Sequence, residues 1–220
     1  MFGLGELVGI GPSPSTKYSS ATNFRLPCSL REFVELFWDD ANQHIAFLQV
    51  AVRESNIDIS PWSMSSIAEG GDGASIPMLR TVAVDHPLPI IEWLPWVPSS
   101  VRNTCYQSVT QKSAHRIEIV ERSVVKALPI VEPVILCTWV VEQTEDTHVD
   151  IRVDLSFSDC NVVLLQGLIE YHATAGLKGY FADWEPHANT VIQKKREGTS
   201  EISSEGGLLV RHLWPERGCS

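Results

Sequence analysis

The chain has 220 residues, 17 basic against 27 acidic for a net charge of −10, and 44% of its residues are hydrophobic. That length suits one generous domain or a smaller one with two tails, and so apolar a composition excludes a chain disordered throughout. The acidic surplus repels phosphate backbones and anionic headgroups, and no basic cluster denser than Lys194-Lys195-Arg196 relieves it, so nucleic acid is not an expected partner.

Residues 1–22 are rich in Gly, Ser and Pro, and Gly9, Gly11, Pro12 and Pro14 work against a regular element, so they are predicted to form a flexible N-terminal tail. The first helix is announced at Ser29, where Ser-Leu-Arg-Glu places a hydroxyl N-cap three residues before Glu32 as a capping box. Apolar residues then recur at Leu30, Phe33, Phe37, Ala41, Ile45 and Leu48, and Asp39-Asp40-Ala41-Asn42 reads as a break between two short helices. A short strand is expected near Asp58 to Trp62, followed by strands at Thr81 to Val84, Val101 to Gln111, His115 to Val124 and Val134 to Glu142. The clearest strand runs from Val149 to Phe157. There Val149, Ile151, Val153, Leu155 and Phe157 alternate with polar residues, which makes one face dry and the other wet. Val134 to Val141 is apolar on both faces and reads as a central, covered strand.

A long helix is predicted from about Asn161 to Lys195, with a wide apolar face and Pro186 as a place to kink or restart. Gly167, Gly176 and Gly179 inside it cost about 1 kcal/mol each relative to Ala, which points to close packing or to a space kept open. Residues 196–220 are too polar at first to bury and read as a second flexible tail, although Leu208, Leu209, Leu213 and Trp214 could dock. The folded unit is thus 23–195, and helices, a run of strands and a long helix in that order predict an α+β fold with a curved antiparallel sheet gripping the C-terminal helix.

Motifs for chemistry are sparse. No Gly-x-Ser-x-Gly, His-Glu-x-x-His or phosphate-binding loop is present, and Gly70-Gly71-Asp72-Gly73 lacks a preceding strand and reads as a surface loop. The five cysteines, Cys28, Cys105, Cys137, Cys160 and Cys219, are odd in number and widely spaced, so buried thiols are expected in place of zinc or a disulfide framework. No metal, cofactor or catalytic residue is predicted. Asp39-Asp40 and Glu145-Asp146 have turn-like settings and read as solvated. Among the histidines, His172 falls on the apolar face of the long helix beside Tyr171, where it is either a hydrogen-bonded core residue or a donor to a ligand hydroxyl. Without a basic leader or a stretch of about 20 apolar residues, the chain reads as cytoplasmic.

Leu88 to Pro98 resists a bland reading. Three prolines bar it from a helix interior or central strand, yet it holds Trp93 and Trp96 among aliphatic residues. Such a loop either folds over the domain's own core or is a lid that touches a ligand or a bilayer, and Ile90, Ile91, Trp93, Leu94, Trp96 and Val97 are its candidate contact residues.

Three stretches together resemble the VASt domain, a START-like module of sterol transporters at membrane contact sites. They are Leu26-Pro27-Cys28-Ser29-Leu30-Arg31-Glu32-Phe33-Val34-Glu35-Leu36-Phe37-Trp38-Asp39-Asp40, then Arg80-Thr81-Val82-Ala83-Val84 with Pro87-Leu88, and finally Gly167-Leu168-Ile169-Glu170, Gly176-Leu177-Lys178 and Tyr180-Phe181-Ala182-Asp183-Trp184. The resemblance covers about residues 24–190 and implies a START-like helix-grip fold enclosing a hydrophobic cavity for one sterol. Family members commonly have a small Gly-Pro-Lys-containing loop where this chain has Trp93 to Ser100, and they often add a GRAM domain and a membrane anchor, for which the tails offer no room.

The function this implies is binding a sterol or similar lipid and transferring it between membranes through transient peripheral contact, without covalent change. Cavity walls are expected from Cys105, Val109, Ile117, Ile119, Leu136, Trp139, Val153 and Leu155 on strands and from Leu168, His172 and Leu177 on the helix. The strand parity is an assumption, since a slip of one residue turns a whole set outward. The same alternation would also pack a solid core. Two other classes stay open: an enzyme of this superfold acting on a hydrophobic substrate, which needs a titratable pair in the cavity, and an interaction module whose Trp-rich loop grips a protein partner.

Overall fold

The computed structural model describes residues 18–39, 41–65, 76–87, 99–126, 134–157, 163–198 and 208–214, with side chains described at all of these except 18–21, 126, 163–170, 172 and 208. The backbone runs β1 (Tyr18–Leu26), α1 (Leu30–Val34), a π-helical turn (Glu35–Asp39), α2 (Ala41–Val50), β2 (Ser55–Ile59), β3 (Ser63–Met64) and β4 (Met78–Pro87). It continues through β5 (Ser100–Ser113), β6 (Arg116–Lys126), β7 (Val134–Glu145), β8 (His148–Phe157), α3 (Val163–Arg196) and α4 (Leu208–Leu213).

Successive antiparallel pairing of β4 through β8 builds the sheet, and β1 then joins the far edge against β8, giving the order β1-β8-β7-β6-β5-β4-β2 with β3 beside β4. The result is an α+β helix-grip fold, a curved antiparallel sheet around a long C-terminal helix.

The capping box forms as the sequence predicts. Ser29 Oγ accepts from the Glu32 backbone N–H at 3.2 Å, and Glu32 Oε2 accepts from the Ser29 backbone N–H at 3.0 Å, so two orphan donors of the first turn are satisfied reciprocally. The anticipated break near Asp39 is preceded by the π-helical turn. Leu36, Phe37 and Trp38 in that turn are all buried.

Helix α3 is continuous through Pro186, which is exposed. Leu177, Tyr180, Phe181, Trp184, Ala188, Val191 and Ile192 recur at helical spacing along its inner stripe, and from Phe181 onward those packed on the sheet are fully buried. Trp184 packs against Phe24, Phe33, Phe37 and Trp139 in tilted and edge-to-face pairs at ring-centroid distances of 5.2 to 6.3 Å. That aromatic cluster fills the space between the C-terminal half of α3 and the sheet.

Three expectations need correction. Strand β1 starts at Tyr18, inside the stretch read as tail, because its polar sequence pairs by backbone with the edge of β8 and needs no strict alternation. The second tail contains α4, whose Leu209, Val210 and Leu213 are buried against the core, while Asp39 accepts from the backbone N–H groups of Leu209 and Val210 at 3.2 and 3.1 Å. For Gly176 and Gly179 the close-packing alternative is the one that fails. Both are exposed, and a Cβ built on either meets nothing within 4 Å.

Candidate functional site

Cross-strand pairing sorts the concave face into rows. Met78, Val109, Ile119, Trp139 and Val153 form one row across β4 to β8. The next is Arg80, Gln107, Glu121, Cys137 and Leu155, followed by Val82, Cys105, Ser123, Ile135 and Phe157. Burial changes along this direction on β5 to β8 but not on β4, where Val82 and Val84 stay buried with Leu48, and Cys105 and Tyr180 pack against them. On β6, Ile117 and Ile119 are fully buried, whereas Glu121, Ser123 and Val125 are half-buried; on β8 the change falls between Leu155 and Phe157, and on β5 between Gln107 and Cys105. The half-buried end is the one where Pro87 pairs with Ser100, the residues flanking the 88–98 segment.

At the boundary lies a polar row that the sequence reading did not select. Arg80, only 4% exposed, donates from Nε to Gln107 Oε1 and from Nη1 to the Trp38 carbonyl oxygen at 2.8 Å. That carbonyl, at the end of the π-helical turn, also accepts from Trp62 Nε1 at 2.8 Å. The guanidinium carbon lies 4.4 Å from the Trp62 ring centroid and 5.7 Å from that of Trp38, which offsets part of the cost of burying the cation. Burial lowers the Arg80 pKa to about 10, so it stays charged at neutral pH.

Gln107 passes the connection on. Its Nε2 donates to Glu121 Oε1 at 2.7 Å, and Trp139 Nε1 donates to Glu121 Oε2 at 2.6 Å. Burial raises the Glu121 pKa against the opposing pull of these two hydrogen bonds and of Arg80. Cys105 Sγ sits 3.9 Å from Glu121 Oε1. Burial, and then the Glu121 charge, holds the Cys105 and Cys137 thiols and the Tyr180 hydroxyl in their neutral forms. His44 stacks on Trp38 with centroids 6.4 Å apart, and burial with the Arg80 charge depresses its pKa to about 3.

The expected wall residues fall into four groups. Val109, Ile117, Ile119, Trp139, Val153 and Leu155 point to the concave face and are packed into the core with at most 2% exposure. Cys105 and Leu177 are on the inner side and half-buried. Leu136 is a correction: it pairs with Arg122 and Ser156 on the convex face, because Trp139 three residues away is inward and strand side chains alternate. Leu168 and His172 lie on α3, but their side chains are outside the described residues, as are the loop residues Ile90, Ile91, Trp93, Leu94, Trp96 and Val97.

Glu121 was detectable in the sequence. Ile117, Ile119 and Glu121 share one parity, so a carboxylate stands on the apolar face of its strand. A separate depression, lined by Asn23, Arg25, Val140, Glu142, Asp150 and Arg152 among others, lies over strands β1, β8 and β7 and includes none of these polar-row residues. Among the described residues no group of three or more His, Cys, Asp or Glu side chains is placed to hold a metal ion, and no helix is long and apolar enough to cross a membrane.

Neither protein-family models nor curated proteins give a match to the chain. Solved structures do. Dicamba monooxygenase bound to 3,6-dichlorosalicylic acid superposes with a TM-score of 0.50 at 8% identity, over 91% of this chain and 58% of that one, so the chain spans under two thirds of the monooxygenase. Norcoclaurine synthase from Thalictrum flavum, in complex with dopamine and hydroxybenzaldehyde, gives 0.45 at 13% identity over 81% of this chain and 87% of that one. The Zhui aromatase/cyclase from Streptomyces sp. R1128 gives 0.43 at 11% identity over 83% and 98%. At such identities the likeness concerns the fold.

Proposed function

We propose that the chain binds an apolar ligand of the size of a sterol or similar lipid between the half-buried end of the concave face and the first half of α3, and carries it between membranes unchanged. The observation that carries this reading is the change in burial along the concave face. Cys105, Glu121 and Tyr180 retain accessible surface although each lies deep enough for burial to dominate its pKa. Groups that are desolvated without being sealed off support a ligand space beside them. Ile135, Phe157 and Leu177 give that space apolar walls, and Glu121 and Ser123 give it polar points.

A site of this kind gains about 25 cal/mol per Å² of apolar ligand surface removed from water, while a few polar groups set orientation. The resemblance to VASt domains supports a sterol-sized occupant and transfer at membranes. Native mass spectrometry of the full chain purified from cells tests the reading. A co-purified lipid mass is expected; an empty protein that also fails to bind a fluorescent sterol overturns it.

Glu121 favours one second reading. A carboxylate with a raised pKa in an apolar site is the type of group that performs acid–base catalysis, so an enzyme acting on a hydrophobic substrate in the same space is the alternative. Recovery of the bound molecule chemically unchanged after prolonged incubation separates carrier from enzyme.

A further inference from the structure

We infer that α4 is a latch coupled to the buried polar row through the π-helical turn, so that loosening Arg80 favours release of α4 and releasing α4 loosens Arg80. The coupling belongs to the folded chain and stands independently of what the concave face binds.

The junction is a single peptide unit. Asp39, the last residue of the π-helical turn, accepts through Oδ1 and Oδ2 from the first-turn N–H groups of α4, those of Leu209 and Val210, at 3.2 and 3.1 Å. The carbonyl oxygen of the preceding residue, Trp38, accepts from Arg80 Nη1 and from Trp62 Nε1, both at 2.8 Å. The Trp38 carbonyl and the Asp39 N–H lie in one planar amide, so a rotation of the backbone at Asp39 swings the carbonyl away from its two donors. The outward contact and the inward one are not set separately.

Helix α4 also reaches the other partner of that bond. His212 Nε2 donates to the Ile76 carbonyl oxygen at 3.1 Å, two residues before β4 begins at Met78. One end of α4 is thus tied to the turn that supplies the acceptor, and the other to the start of the strand that carries Arg80. Charge adds a third connection. Burial lowers the Arg80 pKa, and the charges of Glu121 and Asp39 are among those that oppose it, so the carboxylate that receives α4 also helps to make the buried cation tolerable.

A latch needs two discrete states. With six residues α4 is too short to remain helical in water, so undocking and unwinding are one step. Docked, it packs on α1 and the π-helical turn and buries Leu209, Val210 and Leu213 against the core. Undocked, the Asp39 oxygens turn to water and the amide between Trp38 and Asp39 loses its fixed orientation. An element with two arrangements, biased from two places, carries a coupling free energy, and linkage makes that coupling act in both directions. A rearrangement of the inner row is thereby reported at the surface.

Hydrogen exchange on the full chain tests the latch from both ends. In the wild-type chain the amides of residues 209–214 should exchange at least about tenfold faster than those of residues 149–157 in β8, as a separately opening element does. Equal rates would mean that α4 opens only when the whole chain unfolds, which overturns the latch. Trp62→Phe removes one donor from the Trp38 carbonyl and keeps an aromatic ring; it should speed exchange at 209–214 by roughly tenfold, a coupling of ordinary size. From the other end, Leu213→Ala weakens docking and should speed exchange of the Trp62 indole N–H, resolved by NMR, by roughly the same factor. An unchanged rate at 209–214 in Trp62→Phe, or an unchanged indole rate in Leu213→Ala, overturns the inference. Should Trp62→Phe not fold, the indole of Leu213→Ala decides alone.

Discussion

Trp139 donates its indole N–H to Glu121 Oε2 at 2.6 Å, so the largest fully buried side chain of the core ends on the carboxylate at the boundary of the half-buried face. The same ring contacts Phe24, Trp38, Phe181 and Trp184 edge to face at 5.2 to 6.4 Å. The aromatic core therefore fixes the carboxylate, and the carboxylate fixes the ring. Trp139→Phe keeps most of the apolar packing but leaves Glu121 with one donor fewer. It should cost about 1–3 kcal/mol in urea unfolding, and a change within experimental error would show that the bond carries no weight.

Arg80 and Glu121 share one connection, so their substitutions should not add. Arg80→Met leaves a buried carboxylate without its counter-charge, a loss of about 3–5 kcal/mol when one partner of a buried pair is removed. Glu121→Gln strands the guanidinium in the same way. The double variant should be more stable than the sum of the single losses implies, by about 1–3 kcal/mol. Strict additivity in a denaturant cycle would mean that Gln107 does not couple them.

Two buried groups give opposite pH dependences. His44 has a folded pKa of about 3 against an ordinary 6.5, so the unfolded chain binds the extra proton between those values. Its contribution is present above pH 6.5 and is lost as the pH falls, by at most about 1.4 kcal/mol per unit. Glu121 is raised above 4.5, so the folded state holds the proton more tightly and stability falls as the pH rises through its folded pKa. His44→Gln should flatten the acid loss. Glu121→Gln should remove the opposing arm, and pH-dependent thermal unfolding of the three proteins would reveal identical profiles if neither group is desolvated.

The exposed Gly179 offers a gain. Alanine there meets nothing within 4 Å and removes the entropic cost of glycine inside α3. Gly179→Ala should add about 0.5–1 kcal/mol to stability, measured by chemical denaturation, and a loss would show that the position is not in a plain helix.

Helix α4 docks through Leu209, Val210 and Leu213 and is held at its first turn by Asp39. A chain ending at residue 207 should lose roughly 3 kcal/mol or more from re-exposure of those aliphatic groups. Asp39→Ala should cost about 1 kcal/mol in the full chain, as for other helix-capping acceptors, and much less in the shortened one. Equal costs in both backgrounds would exclude the cap.

By itself the sequence determined the elements whose signals are local. The capping box at Ser29, the two-residue period from Val149 to Phe157 and the helical spacing of Leu177, Tyr180, Phe181 and Trp184 each depend on neighbours along the chain, and each stands where its pattern puts it. Tertiary structure alone decided what depends on partners far away. Strand β1 has little periodicity of its own and exists because β8 offers an unpaired edge, and α4 is helical where Asp39 and the core receive it. Leu136 faces outward because register with β6 and β8 sets parity, which no single strand specifies. Arg80, Gln107 and Glu121 are 27 and 14 residues apart in the chain and become one row only through the pairing of β4, β5 and β6. A charge on an apolar strand face is visible in sequence; the partners that make it tolerable are products of the folded sheet.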